Sequence, residues 1–152
     1  MVQLEAGFTF QKSQFKTSVE TIEGLAPKRE FLRTPNNYGY ATITYNPNKN
    51  WNISLNGVFT GSMILAHVAG VGTGQNIDEY FQTKSFTDVG LRAGHTFNFQ
   101  KIKSGIEIFG GLKNIFDAYQ KNFDTGKNRD SNFIYGPNMP RTLFVGLRIK
   151  SI

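Results

Sequence analysis

Hydrophobic and polar residues alternate with a period of two along most of the chain, the pattern of strands that turn one face to an apolar medium. Val2, Leu4, Ala6, Phe8 and Phe10 fall on one side, and Gln3, Glu5, Gly7, Thr9 and Gln11 on the other. Residues 38–45 set Gly39, Ala41, Ile43 and Tyr45 against Tyr38, Tyr40, Thr42 and Thr44, and here either side reads as the apolar one. Trp51, Ile53, Leu55, Gly57 and Phe59 oppose Asn52, Ser54, Asn56, Val58 and Thr60. Val89, Leu91, Ala93, His95 and Phe97 oppose Asp88, Gly90, Arg92, Gly94, Thr96 and Asn98. Ile106, Ile108 and Leu112 oppose Glu107, Phe109, Gly111 and Lys113. Leu143, Val145, Leu147 and Ile149 oppose Thr142, Phe144, Gly146, Arg148 and Lys150. The pattern predicts an all-β chain of six antiparallel, up-and-down strands, each of roughly eight to eleven residues, with no helix.

The connections add an asymmetry. Residues 18–36, 62–83 and 117–139 read as long loops, whereas 46–50 and 99–104 read as short turns. Long and short alternate, so an up-and-down sheet carries every long loop at one end. A soluble meander has no need of this. A transmembrane β-barrel has it by construction, with short turns on one side of the membrane and long loops on the other. The apolar rows also carry aromatics near their ends, at Phe8, Phe10, Tyr45, Trp51, Phe59 and Phe97. Taken alone these read as core residues; with the loop alternation they suit the girdles of a membrane barrel.

Composition narrows the function classes. The 152 residues hold 17 Lys+Arg against 11 Asp+Glu, a net charge of +6, but the longest basic cluster is Lys28-Arg29. That scatter argues against nucleic acid, which calls for a basic patch. There is no cysteine, so neither a disulfide nor a thiolate metal site is available. The 14 Phe, 6 Tyr and 16 Gly fit strands and turns. No stretch approaches the ~20 apolar residues of a membrane helix. The opening Met-Val-Gln-Leu-Glu-Ala-Gly has neither the basic nor the apolar region of a signal peptide, so the chain either stays where it is made or is a piece of something longer.

Candidate chemistry is sparse. Gly70, Gly72 and Gly74 lack phosphate-loop spacing, a following helix and a Walker lysine, and read as a flexible loop. His67 and His95 are the only histidines, and Asp78 and Glu79 the nearest acidic pair; no metal-ligand spacing joins them. A solvated loop histidine is the expectation for His67. Residues 124–132 have their glycine third and no twelfth-position glutamate, so they read as a polar loop rather than a calcium site. No nucleophile, carboxylate pair or metallohydrolase set finds a second member, and the chain is not expected to be an enzyme or to hold a cofactor.

One stretch is more specific. Residues 111–149 contain Asn114-Ile115-Phe116-Asp117 at a strand end, a long polar loop, then Tyr135-Gly136-Pro137 and Pro140-Arg141 leading into the last strand. This resembles the C-terminal end of a TonB-dependent outer-membrane receptor of the Bacteroidetes type. Residues 31–47 and 54–63 also look like strand segments of such receptors, so the likeness runs over most of the chain from about residue 31. It implies the C-terminal part of a transmembrane β-barrel spanning residues 1–152, in the outer membrane of a Gram-negative cell. Such a receptor imports a scarce nutrient of the siderophore-iron, cobalamin or haem class. Its extracellular loops capture the ligand, and TonB then drives rearrangement of an N-terminal plug domain. Gly110 and Gly111 would permit bending or close backbone approach, and Phe116 and Tyr119 would lie at the outer interface.

Two features depart from the family. The plug with its TonB-contacting segment is absent, and the predicted strands number far fewer than the ~22 of such transporters. Ile152 also stands where outer-membrane barrels usually end on an aromatic. The implied partners are therefore outer-membrane lipid, the remaining barrel strands and plug, a small-molecule nutrient, and TonB through the plug alone. The resemblance implies ligand-capture positions at His67, Asp78, Glu79, Tyr80, Arg129 and Tyr135. It implies lumen-facing positions at Arg92, Glu107, Lys113, Arg148 and Lys150, and no metal or catalytic residue. The alternative is a self-contained small β-barrel or lipocalin-like binding protein, which needs about eight strands to close.

Overall fold

A computed structural model describes residues 1–99, 101 and 103–151, so Ile152 and part of the turn predicted at 99–104 lie outside the described residues. The elements in chain order are β1 (Val2–Phe10), β2 (Gln14–Val19), β3 (Lys28–Glu30), β4 (Asn37–Tyr45) and β5 (Trp51–Thr60). They continue with β6 (Ile64–His67), β7 (Glu79–Gln82), β8 (Phe86–Phe99), β9 (Ser104–Lys113) and β10 (Thr142–Ser151). The protein is all-β, with no helix long and apolar enough to cross a membrane among the described residues. Six strands form one sheet in the order β1-β4-β5-β8-β9-β10, every neighbour antiparallel. The edges of that sheet are β1 and β10, and among the described residues they do not pair with each other.

Each of the six alternating runs is a strand of this sheet. The alternation remains legible because side chains of paired residues share a face. Register settles the ambiguous run: Leu4, Ile43, Leu55, Leu91 and Leu112 stand opposite one another in successive strands, so Ile43 and its i±2 neighbours belong to the apolar face. Tyr38 and Tyr40 go to the other face, where the Tyr40 hydroxyl donates to Glu5 Oε1 at 3.2 Å. Aromatics frame the apolar face at both ends. Phe8 packs on Phe10 and Phe59 at the long-loop end, with ring centroids 4.8 and 5.9 Å apart. At the turn end His95 lies 4.8 Å from Trp51 and 4.5 Å from Phe97. Between these rims the residues are aliphatic, alanine or glycine, and no charged side chain falls among them.

This apolar face is bare. Leu4, Leu55, Leu91, Ile108, Val145 and Leu147 are all exposed, although a soluble fold would cover them. Among the described residues the buried hydrophobic side chains are Leu65 and Phe133, and both belong to the long connections, not to the sheet.

Those connections run 11–36, 61–85 and 114–141, all at the same end of the sheet. Two contain hairpins that the alternation did not predict: β2 with β3, and β6 with β7. Their strands of three to six residues are too short for a period to register. Arg33 ties the layer together, its backbone N–H donating to the Ile64 carbonyl at 2.8 Å and its guanidinium to the Ile134 carbonyl at 3.0 Å.

The Asn114–Asp117 step ends β9 by a defined turn. Asn114 and Asp117 adopt left-handed conformations, φ 48° and 53°, which Asn and Asp tolerate better than most residues. The fully buried Asn114 side chain accepts from the Ala118 N–H at 2.9 Å and donates to the Met139 carbonyl at 2.7 Å. It thus joins both ends of the longest loop. Asp117 Oδ1 accepts from the Arg141 N–H at 2.9 Å, fixing the start of β10. Of the two preceding glycines, Gly111 is the constrained one: a Cβ there would run into the Leu91 carbonyl oxygen. Phe116 is exposed beside this turn.

Candidate functional site

The loop layer gathers some of the predicted ligand-capture residues. His67 ends β6 and pairs with Glu79 of β7. It is buried rather than solvated, a correction of the sequence expectation whose reason is Phe133. The two rings stack with centroids 3.6 Å apart and planes 6° apart. His67 Nε2 also lies 2.9 Å from Asp124 Oδ1, and Nδ1 lies 3.6 Å from Glu79 Oε1. Asp124 belongs to the polar segment 124–132, which clasps this strand end. Asp130 Oδ2 accepts from the Val68 N–H at 3.1 Å, and Asp124 Oδ2 from the Asp130 N–H at 3.3 Å. His67 is thereby committed to the loop framework.

The other predicted loop residues divide. Asp78 Oδ1 accepts from the Ala69 N–H at 2.7 Å, closing the glycine-rich turn. Tyr80 shares a hydrogen bond of 2.8 Å with Thr21 and lies 4.8 Å beneath the Lys28 ammonium, so it bridges the two hairpins. Arg129 is exposed and donates within its own turn, to the Gly126 carbonyl at 3.3 Å. Tyr135 joins the His67 cluster through Phe133, with centroids 5.5 Å apart.

Tyr135 also opens onto a cleft of about 550 Å³, which sequence reasoning missed. Phe81, Phe86, Tyr119, Lys84 and Lys121 are among the residues that line it, with the Lys121 ammonium 5.9 Å from the centroid of the Tyr119 ring. The wall is held from behind by Gln120, which is fully buried. Its amide donates to the Phe133 carbonyl at 3.1 Å and accepts from the Tyr135 N–H at 3.1 Å. The Tyr135 hydroxyl donates to Asn122 Oδ1, and burial pushes that hydroxyl's pKa up. The one available signal was the run Tyr119-Gln120-Lys121-Asn122, but its partners lie in β7 and β8, and no local pattern marks that meeting.

On the polar face of the sheet, four of the five residues assigned there meet. Glu107 is buried and receives Arg92 Nη2 on Oε1, with Lys150 Nζ 2.7 Å and Arg148 Nη1 3.5 Å from Oε2. Arg92 is further fixed by Asn52 Oδ1 at 3.0 Å, and its guanidinium lies 4.5 Å over the Phe109 ring. Gly94 makes room for the carboxylate, since a Cβ there would lie 2.7 Å from Glu107 Oε1. Lys113 shares the face but stands apart at the loop end, 5.7 Å over Phe144. Among the described residues no group of histidines and carboxylates could hold a metal ion.

No protein-family model matches the chain, and no match is found among curated proteins or solved structures.

Proposed function

We propose that this chain is the C-terminal strand segment of the β-barrel of a TonB-dependent outer-membrane receptor, which imports a scarce nutrient of the siderophore-iron, cobalamin or haem class. The observation that carries the reading is the bare, uncharged apolar face framed by aromatics at both rims. In water such a face is an aggregation site; against lipid it is the expected surface. From Trp51 to Phe59 the strand rises about 26 Å, or about 20 Å when tilted, close to the roughly 25 Å apolar band of such barrels. The polar face then lines the lumen, and the long loops form the extracellular capture layer.

The unpaired edges β1 and β10 support a part of a larger barrel over a self-contained one, because open edges in hydrocarbon leave backbone groups unsatisfied. The remaining strands and the plug complete it, and TonB acts through the plug. The chain's lack of cysteine makes a direct test available. Single cysteines at Val145, Leu147, Arg148 and Lys150 are labelled in outer membranes with a water-soluble and a lipid-soluble reagent, Arg148 and Lys150 being the partly exposed members of the polar cluster. The first pair should react with the lipid-soluble reagent alone, and the second pair with the water-soluble one. Equal or reversed labelling overturns the reading. Deleting β10 should also abolish TonB-dependent uptake when labelled ferric siderophore, cobalamin and haem are each offered; undiminished uptake of a nutrient that the intact receptor carries overturns the transport role.

A further inference from the structure

We propose that the cleft between β7, β8 and the Ala118–Asn122 segment is a subsite for a small ring-bearing anion, such as an aromatic carboxylate or an aryl phosphate. The assignment rests on the loop-capture reading above and names its ligand class. Three observations on the cleft carry it. Phe81 and Phe86 each place a ring centroid 5.7 Å from that of Tyr135, at interplanar angles of 35° and 59°, so the rings form a concave wall rather than a closed stack. A flat ligand ring meets such a wall by offset or edge contacts.

The charge at its mouth is unbalanced in favour of an anion. Lys84 and Lys121 are exposed, and among the described residues neither has a carboxylate within ion-pair distance. The cleft's own carboxylate, Asp117, is engaged by the Arg141 N–H. Charge-assisted hydrogen bonds from two lysines suit a carboxylate or phosphate group.

The wall is also built before any ligand arrives. Gln120 holds the Phe133 carbonyl and the Tyr135 N–H from behind, and Asn122 holds the Tyr135 hydroxyl. A cleft of about 550 Å³, mostly apolar with a few convergent polar groups, is within the range that takes small ligands.

The test uses the detergent-solubilised protein carrying this chain, with ligand-observed NMR on four probes: phenyl phosphate, benzoate, benzyl alcohol and inorganic phosphate. Phenyl phosphate and benzoate should bind, benzyl alcohol weakly, and inorganic phosphate weakly. Lys84→Met with Lys121→Met should weaken phenyl phosphate and benzoate by about tenfold or more, the loss of a charged hydrogen bond, and leave benzyl alcohol unchanged. Tyr135→Leu should weaken all three ring probes and leave inorganic phosphate unchanged. Both lysines are exposed, so their substitution leaves folding intact. Equal affinity for phenyl phosphate and inorganic phosphate, or no effect of the lysine pair, overturns the proposal. Absence of phenyl phosphate and benzoate binding at millimolar concentration also overturns it. Fractionation of the same protein separates the two readings. Protein in the outer membrane that binds no probe overturns the ligand class alone, and binding by protein outside the outer membrane overturns the transport reading alone.

Discussion

Arg148 and Glu107 stand directly opposite each other in β10 and β9, and the next pair along the same ladder, Leu147 and Ile108, faces the other side of the sheet. One step of register therefore separates an ion pair from an apolar contact. In the proposed receptor, Leu147→Arg places a charge against lipid and should cost about 2–4 kcal/mol near the midplane. Arg148 is mostly exposed and Glu107 keeps Arg92 and Lys150, so Arg148→Ala should cost less than about 1 kcal/mol. The folded fraction that resists heating in detergent gels reads both. Loss of assembly with Arg148→Ala alone would reverse the assignment of faces.

Glu107→Gln should be more damaging than any single change among its cationic partners. It removes the carboxylate that Arg92, Lys150 and Arg148 share and leaves three positive groups close together. A loss of about 1.5–3 kcal/mol is expected, the range for hydrogen bonds to charged groups. Combined with Arg92→Gln, the double variant should lose less than the sum of the two singles, which a denaturant titration of all four proteins measures.

Asn114→Ala should loosen the third long connection and leave the sheet intact. The substitution strands the Met139 carbonyl and the Ala118 N–H and puts alanine at a positive φ. The expected cost is about 1–3 kcal/mol. Asn114→Asp should be at least as harmful, since an acceptor then faces the Met139 carbonyl. Limited proteolysis should cut both variants between residues 114 and 141 at protease levels that spare the parent. Equal resistance would mean that the turn holds without this side chain.

Phe133→Ala should cost about 3–5 kcal/mol of loop-layer stability, as for other buried phenylalanines. His67→Phe keeps a ring against Phe133 but gives up the bond to Asp124, and should cost less. Hydrogen exchange should report both losses in residues 64–82 and 120–135 and leave β9 and β10 protected. Uniform deprotection would show that sheet and loop layer unfold together.

The sheet was legible because each of its strands carries at least eight residues of alternation, enough to fix the element and, in five of the six, the face. Even the run at 38–45 failed only in its face, because Tyr38, Tyr40 and Tyr45 are amphipathic and suit either side. Glu107, Arg92, Arg148 and Lys150 were placed on one face by parity alone, but their meeting depends on register across three strands, which no single run encodes. The loop layer was hidden for a related reason. His67 is buried by Phe133 and Asp124, which lie far along the chain, and the polar run at 124–132 gives no sign that it packs anywhere. Gln120 likewise looks like an ordinary loop amide until Phe133 and Tyr135 close around it.

The two unpaired edges also carry an arithmetic. β1 climbs from the turn end to the loop end, and β10 descends from the loop end to the turn end. A strand laid beside β10 must climb if it is antiparallel, and one laid beside β1 must descend. In the proposed barrel, whatever joins these edges must start with a climbing strand and finish with a descending one. The rest of the proposed barrel's wall would therefore come in whole hairpins, and its ring would have an even number of staves. A lone extra strand between these edges would lie parallel to one of them.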